Sequence, residues 1–173
     1  MRWWHVAPIP LLLLLSGCDS VQSAVTTRRY TVTAENMEPG LHAGQVVHAR
    51  KVARGQYRAS RGDIVVFIGP DSWGPTAGQT LITRVAAVGG EVIGCCDPAG
   101  QVAVDGAVLH EPYVATNAPL DGPADDCNGR RFGPVTVPAD HIFVLGDNRT
   151  RSGDSRCAGT IATNTVIAVV TPA

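Results

Sequence analysis

From Tyr30 onward the chain is built of short runs of β-branched and apolar residues, separated for the most part by Gly, Pro, Asp or Asn. The runs are VVHAR (46–50), DIVVFI (63–68), LITRVAAV (81–88), EVIG (91–94), FVLG (143–146) and TVIAVV (165–170). Runs of this length and composition predict strands. VAVDGAVLH (102–110) carries a hairpin signal, because Asp105-Gly106 suits a type I′ turn between two alternating segments. No stretch sustains helical spacing with caps at its ends. The segment 115–134, rich in Pro, Gly and Asp, reads as a long surface loop held through Cys127. The pattern therefore predicts an all-β domain of many short strands.

The N-terminus follows a different pattern. Arg2 precedes an unbroken apolar run from Val6 to Leu15, too short to span a bilayer and of the right size for the core of a signal peptide. LSGC ends the run and resembles the bacterial lipobox, which implies a diacylglycerol on Cys18 and removal of residues 1–17. Residues 18–29 then form the lipidated cysteine and a polar tether, and 30–173 the β domain. The expected location is the extracytoplasmic face of a bacterial cell membrane, with Cys18 as the membrane contact.

Composition narrows the rest. Aromatic residues are 5 % of the chain against 45 % hydrophobic residues in all, so the core rests on Val, Ala, Leu and Ile. A net charge of -1 argues against a nucleic-acid partner. Of 14 basic residues only Lys51 is a lysine, which leaves thirteen arginines. Besides Cys18 there are Cys95, Cys96, Cys127 and Cys157, an even number that suggests two disulfides in an exported chain. A bridge between adjacent Cys95 and Cys96 would be strained. Two pairings stay open, and each ties the CCD segment to Cys127 and Cys157. Without a CxxC pair or a nearby ligand histidine, no metal and no cofactor is expected.

Four segments come in order: NMEPGLHAGQVV (36–47), RGDIVVF (61–67), TRVAAVGGEVI (83–93) and VPADHIFVLGDNRTRSGDSR (137–156). Together they resemble the bacterial type I signal peptidases, serine endopeptidases that release exported proteins from their leader peptides. The resemblance runs from about Tyr30 to the end of the chain. It implies a signal-peptidase-like fold of many short antiparallel strands, partly barrel-like, with long loops. It also implies a serine nucleophile and a neutral lysine as its base. Asn36 stands at the serine position and Thr83 at the lysine position, and Ala34 stands where many members carry a hydroxyl that assists the oxyanion. The nearest upstream serine, Ser23, lies in the tether, and Lys51 follows the strand VVHAR, so no small slip of register restores the pair.

The family's supporting positions match Ser152, Asp154 and Arg156. With no lysine to orient, they read as structural: Gly146 permits a turn, and Asp147, Asp154, Arg149 and Arg156 form a charge-assisted network. Met37, Glu38 and Pro39 match the segment that edges the substrate groove, although Met37 reads equally well as a core residue. His42, His48, His110 and His141 are candidate bases without a nucleophile at a telling spacing, and His5 leaves with the signal. The expected function is a catalytically inactive, signal-peptidase-like lipoprotein that binds extended peptides or exported pre-proteins. The alternatives are an active endopeptidase with an atypical site, such as Thr83 with a histidine base, and a structural or partner-binding envelope lipoprotein.

Overall fold

The computed structural model describes Met1 and residues 26–120, 127 and 129–171. The signal segment 1–17, Cys18 and most of the tether lie outside the described residues. Eleven strands and one short helix follow in the order β1 (Thr27–Thr31), β2 (Val46–Lys51), β3 (Ile64–Ile68), β4 (Thr80–Val88), β5 (Val92–Cys95), β6 (Val102–Val104), β7 (Ala107–Val108), β8 (Phe132–Thr136), β9 (His141–Leu145), α1 (Ser155–Ala158), β10 (Ile161–Ala162) and β11 (Val166–Val170).

All pairings are antiparallel and fall into two sheets. The larger has the order β1-β2-β11-β3-β4-β9-β10, and the smaller the order β7-β6-β5-β8. The larger sheet ends on β1 and β10 and does not close, so the barrel-like element of the expectation gives way to two open sheets. The hairpin forms as predicted: Asp105 and Gly106 both have positive φ (50° and 77°), as a type I′ turn requires. The Asp105 carboxylate also accepts the Val92 N–H at 2.8 Å, which ties the turn to β5.

Alternation along the strands covers the large sheet on both faces. Val65 and Phe67 of β3, Val85 of β4, and Ile142 and Val144 of β9 pack with Tyr57, Trp73 and Ile161 on one face. Val66 and Ile82 turn to the other face, against Val32, Met37 and Leu41. Farther along that face, Ala86, Phe143 and Leu145 meet Ile93, Val102 and Val104 of the small sheet. Emptying one of these positions, as in Phe67→Ala, would cost about 3–5 kcal/mol.

Two expectations need correction. β1 starts at Thr27, inside the segment assigned to the tether; it pairs residue for residue with β2 from Thr27–Arg50 to Thr31–Val46. As an exposed edge strand it has only Tyr30 half-buried, so it carries almost no alternation. The disulfides are Cys95–Cys96 and Cys127–Cys157, and neither ties the CCD segment to the long loop. β5 holds Cys95 in the small sheet, whereas the sulfurs of Cys127 and Cys157 both sit against the Asp154 carbonyl, at 3.8 and 3.6 Å. The long loop is thereby fastened to α1.

Candidate functional site

The site lies where the first half of β4 faces the 3-10 turn Glu35–Met37. Within β4, pairing to β9 begins only at Arg84, opposite Leu145, while pairing to β3 continues to Thr80. Thr80–Thr83 therefore has a strand on one side and an open edge on the other, among the described residues. Val32, Ala34, Asn36, Trp73, Ile82 and Thr83 are among the residues lining a groove of about 170 Å³ along that edge, with Arg151 at its exposed end. Phe67 and Trp73 meet edge to face, with centroids 5.4 Å apart, and form its aromatic wall.

Asn36 and Thr83 come together here. The Asn36 amide nitrogen donates to the carbonyl of Ile82 at 2.8 Å, so it is fixed on β4 beside Thr83. Thr83 is only 4 % exposed, and its Oγ1 has no hydrogen-bond partner among the described residues. The same holds for Ser152 Oγ and for the Trp73 indole nitrogen. Buried polar atoms are normally paired, so three unpaired ones around a single edge mark it as unusual.

The 3-10 turn sends Asn36 toward β4 and Met37 into the core. Met37 is fully buried with Val32, Leu41 and Ile82, which settles its role as packing rather than groove wall. Glu38 and Pro39 do not line the groove either; the Glu38 carboxylate lies 3.8 Å from His42 Nδ1 on the exposed side of the turn. Met37, Glu38 and Pro39, which the resemblance places at the groove edge, are not among the residues lining this groove. Among the described residues, no histidine lines the groove. Lys51 lies exposed at the end of β2, opposite Ala168 of β11, and its backbone N–H donates to the Thr26 carbonyl at 2.9 Å.

The 146–156 segment docks onto the turn through its backbone. Asn148 N–H donates to the Asn36 carbonyl at 3.0 Å, and its side-chain amide donates to the Glu35 carbonyl at 3.2 Å. Gly146 is required by proximity rather than by a turn. A Cβ there would lie 2.3 Å from Ser152 Oγ and 2.6 Å from the Asn36 carbonyl oxygen.

Besides the exposed Arg151–Glu35 pair, three ion pairs shielded from solvent hold this segment. Arg84 reaches from β4 to grip both Asp147 oxygens, at 2.8 and 2.6 Å. Arg156 grips both Asp154 oxygens, at 2.8 and 3.0 Å, and its guanidinium also donates to the carbonyls of Arg149 and Ser152. Asp154 additionally caps α1 and accepts the Gly146 N–H at 3.1 Å. Arg149, 2 % exposed, pairs with Glu111 and donates to the Gly146 carbonyl. Two of them bidentate and all of them multiply bonded, these pairs meet the conditions under which an internal charge is tolerated.

Sequence reasoning missed Glu111 and Tyr113. Tyr113 lies under the Arg84 guanidinium, 4.0 Å from its ring centroid. Burial disfavours the Arg84 cation, but the bond to Asp147 and its charge outweigh this and raise its pKa above the ordinary value. Burial, then the Glu111 carboxylate, push the Tyr113 phenol up to about 12. The available signal was one arginine inside the apolar run LITRVAAV, which needs an internal counter-charge.

The site is thus a half-open groove beside a docked, charge-locked loop on a two-sheet β fold. A sequence model described as signal peptidase, peptidase S26, matches residues 2–172. The chain belongs to this family. A probable signal peptidase I of Mycobacterium leprae (strain TN) is 34 % identical over 187 residues, covering 88 % of this chain and 63 % of that protein. A signal peptidase I of Mycobacterium tuberculosis (strain ATCC 25618 / H37Rv) is 33 % identical over 168 residues, covering 79 % of this chain and 57 % of that one. The chain thus spans less than two thirds of the length of these relatives. A crystal structure of a signal peptidase I from Enterococcus faecalis V583 aligns with a TM-score of 0.50 and 28 % identity, over 66 % of this chain and 98 % of that one.

Proposed function

We propose that this chain is a signal-peptidase-like protein without peptidase activity that holds extended peptides in the former substrate groove. The observation that carries the reading is the state of Asn36 and Thr83. An amide already committed to the Ile82 carbonyl is no nucleophile, and a buried threonine hydroxyl cannot take up a proton as a neutral amine does. The groove itself keeps what a peptide needs. Thr80–Thr83 offers one open strand edge, and an extended segment can add to it through main-chain hydrogen bonds. The family and the lipobox-like LSGC favour the extracytoplasmic side of a bacterial membrane, with Cys18 as lipid anchor. Membrane fractionation of the full chain and of Cys18→Ala tests the anchor; membrane association that survives the substitution would refute it.

The second reading is an active endopeptidase, favoured by the signal peptidase I names of its relatives and by the unpartnered Thr83 hydroxyl in the groove. Against it stands a groove with neither lysine nor histidine among its lining residues. The test is cleavage of a signal-peptide substrate by the full chain, by Thr83→Ala and by Asn36→Ser/Thr83→Lys. The proposal expects no cleavage by the first two. Cleavage by the unaltered chain that disappears in Thr83→Ala establishes the second reading. A groove that binds no peptide leaves a structural or partner-binding lipoprotein.

A further inference from the structure

We infer that the Cys95–Cys96 bridge is a redox-active site that exchanges with a protein dithiol and returns to the disulfide with the fold intact. It shares no lining residue with the groove and does not rest on the peptide-holding reading. The first observation is that this bridge staples nothing. A disulfide stabilises chiefly by closing a loop of chain, and the gain grows with the loop. Cys95 and Cys96 are adjacent, so their bridge closes no loop and joins no second segment. Cys127–Cys157, at a separation of 30, holds the long loop instead. The chain around Cys95 and Cys96 is fixed by other means. Cys95 pairs with Val102 of β6 and Phe132 of β8, and Ile93, two residues earlier, is fully buried. On the other side, the Asp97 carboxylate accepts the Ala99 and Gln101 N–H groups at 3.0 and 2.7 Å. Reduction leaves all of these bonds in place.

The second observation is access. Both cysteines are half-buried, and both line an open pocket of about 380 Å³. Gly94, Ala103, Gly106 and Gly133 also line it, and such small residues leave room for an incoming group. Exchange requires a thiolate to reach one sulfur of the bridge, and accessible bridges are the labile ones. The other bridge is less open to attack. Cys157 is exposed, but Cys127 is only 7 % exposed. Both of its sulfurs also sit against the Asp154 carbonyl oxygen, whose partial negative charge opposes an approaching thiolate.

The order of events follows from the strand. Cys95 ends β5 and packs on the small-sheet core, whereas Cys96 lies beyond the strand. The incoming thiolate therefore attacks Cys96 Sγ. A new S–S bond forms there, the Cys95–Cys96 bond breaks, and its electron pair leaves on Cys95 Sγ, which takes up a proton. The second thiolate of the reductant then attacks its own sulfur in the mixed disulfide and releases Cys96 as a thiol. In total one dithiol becomes a disulfide, and two electrons and two protons pass to Cys95 and Cys96. The β5 ladder keeps the two thiols adjacent, so the reverse exchange with an oxidised partner requires no search of chain conformations.

The experiment traps the first step. The full chain is incubated with a thioredoxin in which serine replaces the second cysteine of the C-x-x-C motif, so that a mixed disulfide forms and is not resolved. Peptide mapping by mass spectrometry should place the adduct on Cys96, and the Cys95→Ser/Cys96→Ser chain should form none. In mixtures of dithiothreitol and its oxidised form, followed by alkylation, Cys95 and Cys96 should be labelled together. This should occur at thiol-to-disulfide ratios at least about tenfold lower than those that label Cys127 and Cys157. Excess oxidised dithiothreitol should erase the labels, and the urea midpoint of the chain reduced only at Cys95 and Cys96 should match that of the oxidised chain. No adduct, or an adduct on Cys127 or Cys157, overturns the inference. So does labelling of all four cysteines at the same ratio, or a urea midpoint that falls when Cys95 and Cys96 alone are reduced.

Discussion

Thr83→Val tests whether the buried Thr83 hydroxyl costs the fold stability. The substitution keeps the β-branched shape and removes one hydroxyl. In this protein the hydroxyl is buried, and Oγ1 has no hydrogen-bond partner among the described residues. An unsatisfied buried hydroxyl costs about 1–3 kcal/mol of desolvation, and its removal should return that amount to the folded state. Valine also suits the site, since Leu81 and Val85, two residues to either side on β4, pack with the Phe67 and Trp73 cluster. For a domain of this size each kcal/mol moves Tm by about 2–4 °C. Equilibrium urea unfolding of the full chain should show a higher midpoint at an unchanged slope. Thr27→Val, on the exposed edge strand, is the control and should change little. Destabilisation by 1 kcal/mol or more would mean that the hydroxyl has a partner inside the fold, and the reasoning would fail.

Other consequences follow from the same geometry. Asp154→Asn strips the counter-charge from a guanidinium only 3 % exposed and should cost about 3–5 kcal/mol by urea unfolding, whereas Glu35→Gln on the exposed Arg151 pair should change stability by less than about 1 kcal/mol. Thiol titration of the denatured, unreduced protein should find no free thiol among Cys95, Cys96, Cys127 and Cys157. Replacing Cys127 and Cys157 by serine opens a loop of sequence separation 30 and should cost roughly 3–4 kcal/mol, while the same change at Cys95 and Cys96, separation 1, should cost far less. The Tyr113 phenol titrates higher when folded (about 12) than when unfolded (10.0), so its contribution to stability is complete below pH 10 and is lost as pH rises through 12. Stability should therefore fall across that window, and less steeply in Tyr113→Phe; a fall that is equally steep in the variant would refute the assignment.

The strands that sequence pattern located are those whose alternation is enforced by burial. β3, β4, β9 and β11 sit inside the large sheet, and their residues read as β-branched runs because both faces are covered. β1 and β8 were missed for the opposite reason. Each is an edge, and β8 contains Gly133 and Pro134, residues that mark a loop unless the strand has a free side. The hairpin was legible because its turn demands two residues with positive φ and the chain offers Asp-Gly. Asn36 and Thr83 were identified only through resemblance to a family; nothing in their local pattern sets them apart, and the fold brings Asn36 onto Ile82, beside Thr83, across a sequence separation of 46. The Arg84–Asp147 grip and the Arg149–Glu111 pair were invisible for the same reason, since each joins segments distant in sequence. Met37 was left open between core and groove, and the direction of one 3-10 turn decided it.

The central claim is that the groove binds peptide and does not cut it. The direct measurement is mass spectrometry of a single equilibrated sample of the full chain with a peptide that spans a signal-peptide cleavage site, after separation of bound from free peptide. The account predicts intact peptide in both the bound and the free fraction at every time point. Fragments that accumulate with time in proportion to protein, and that vanish when Thr83 is replaced by alanine, would contradict it.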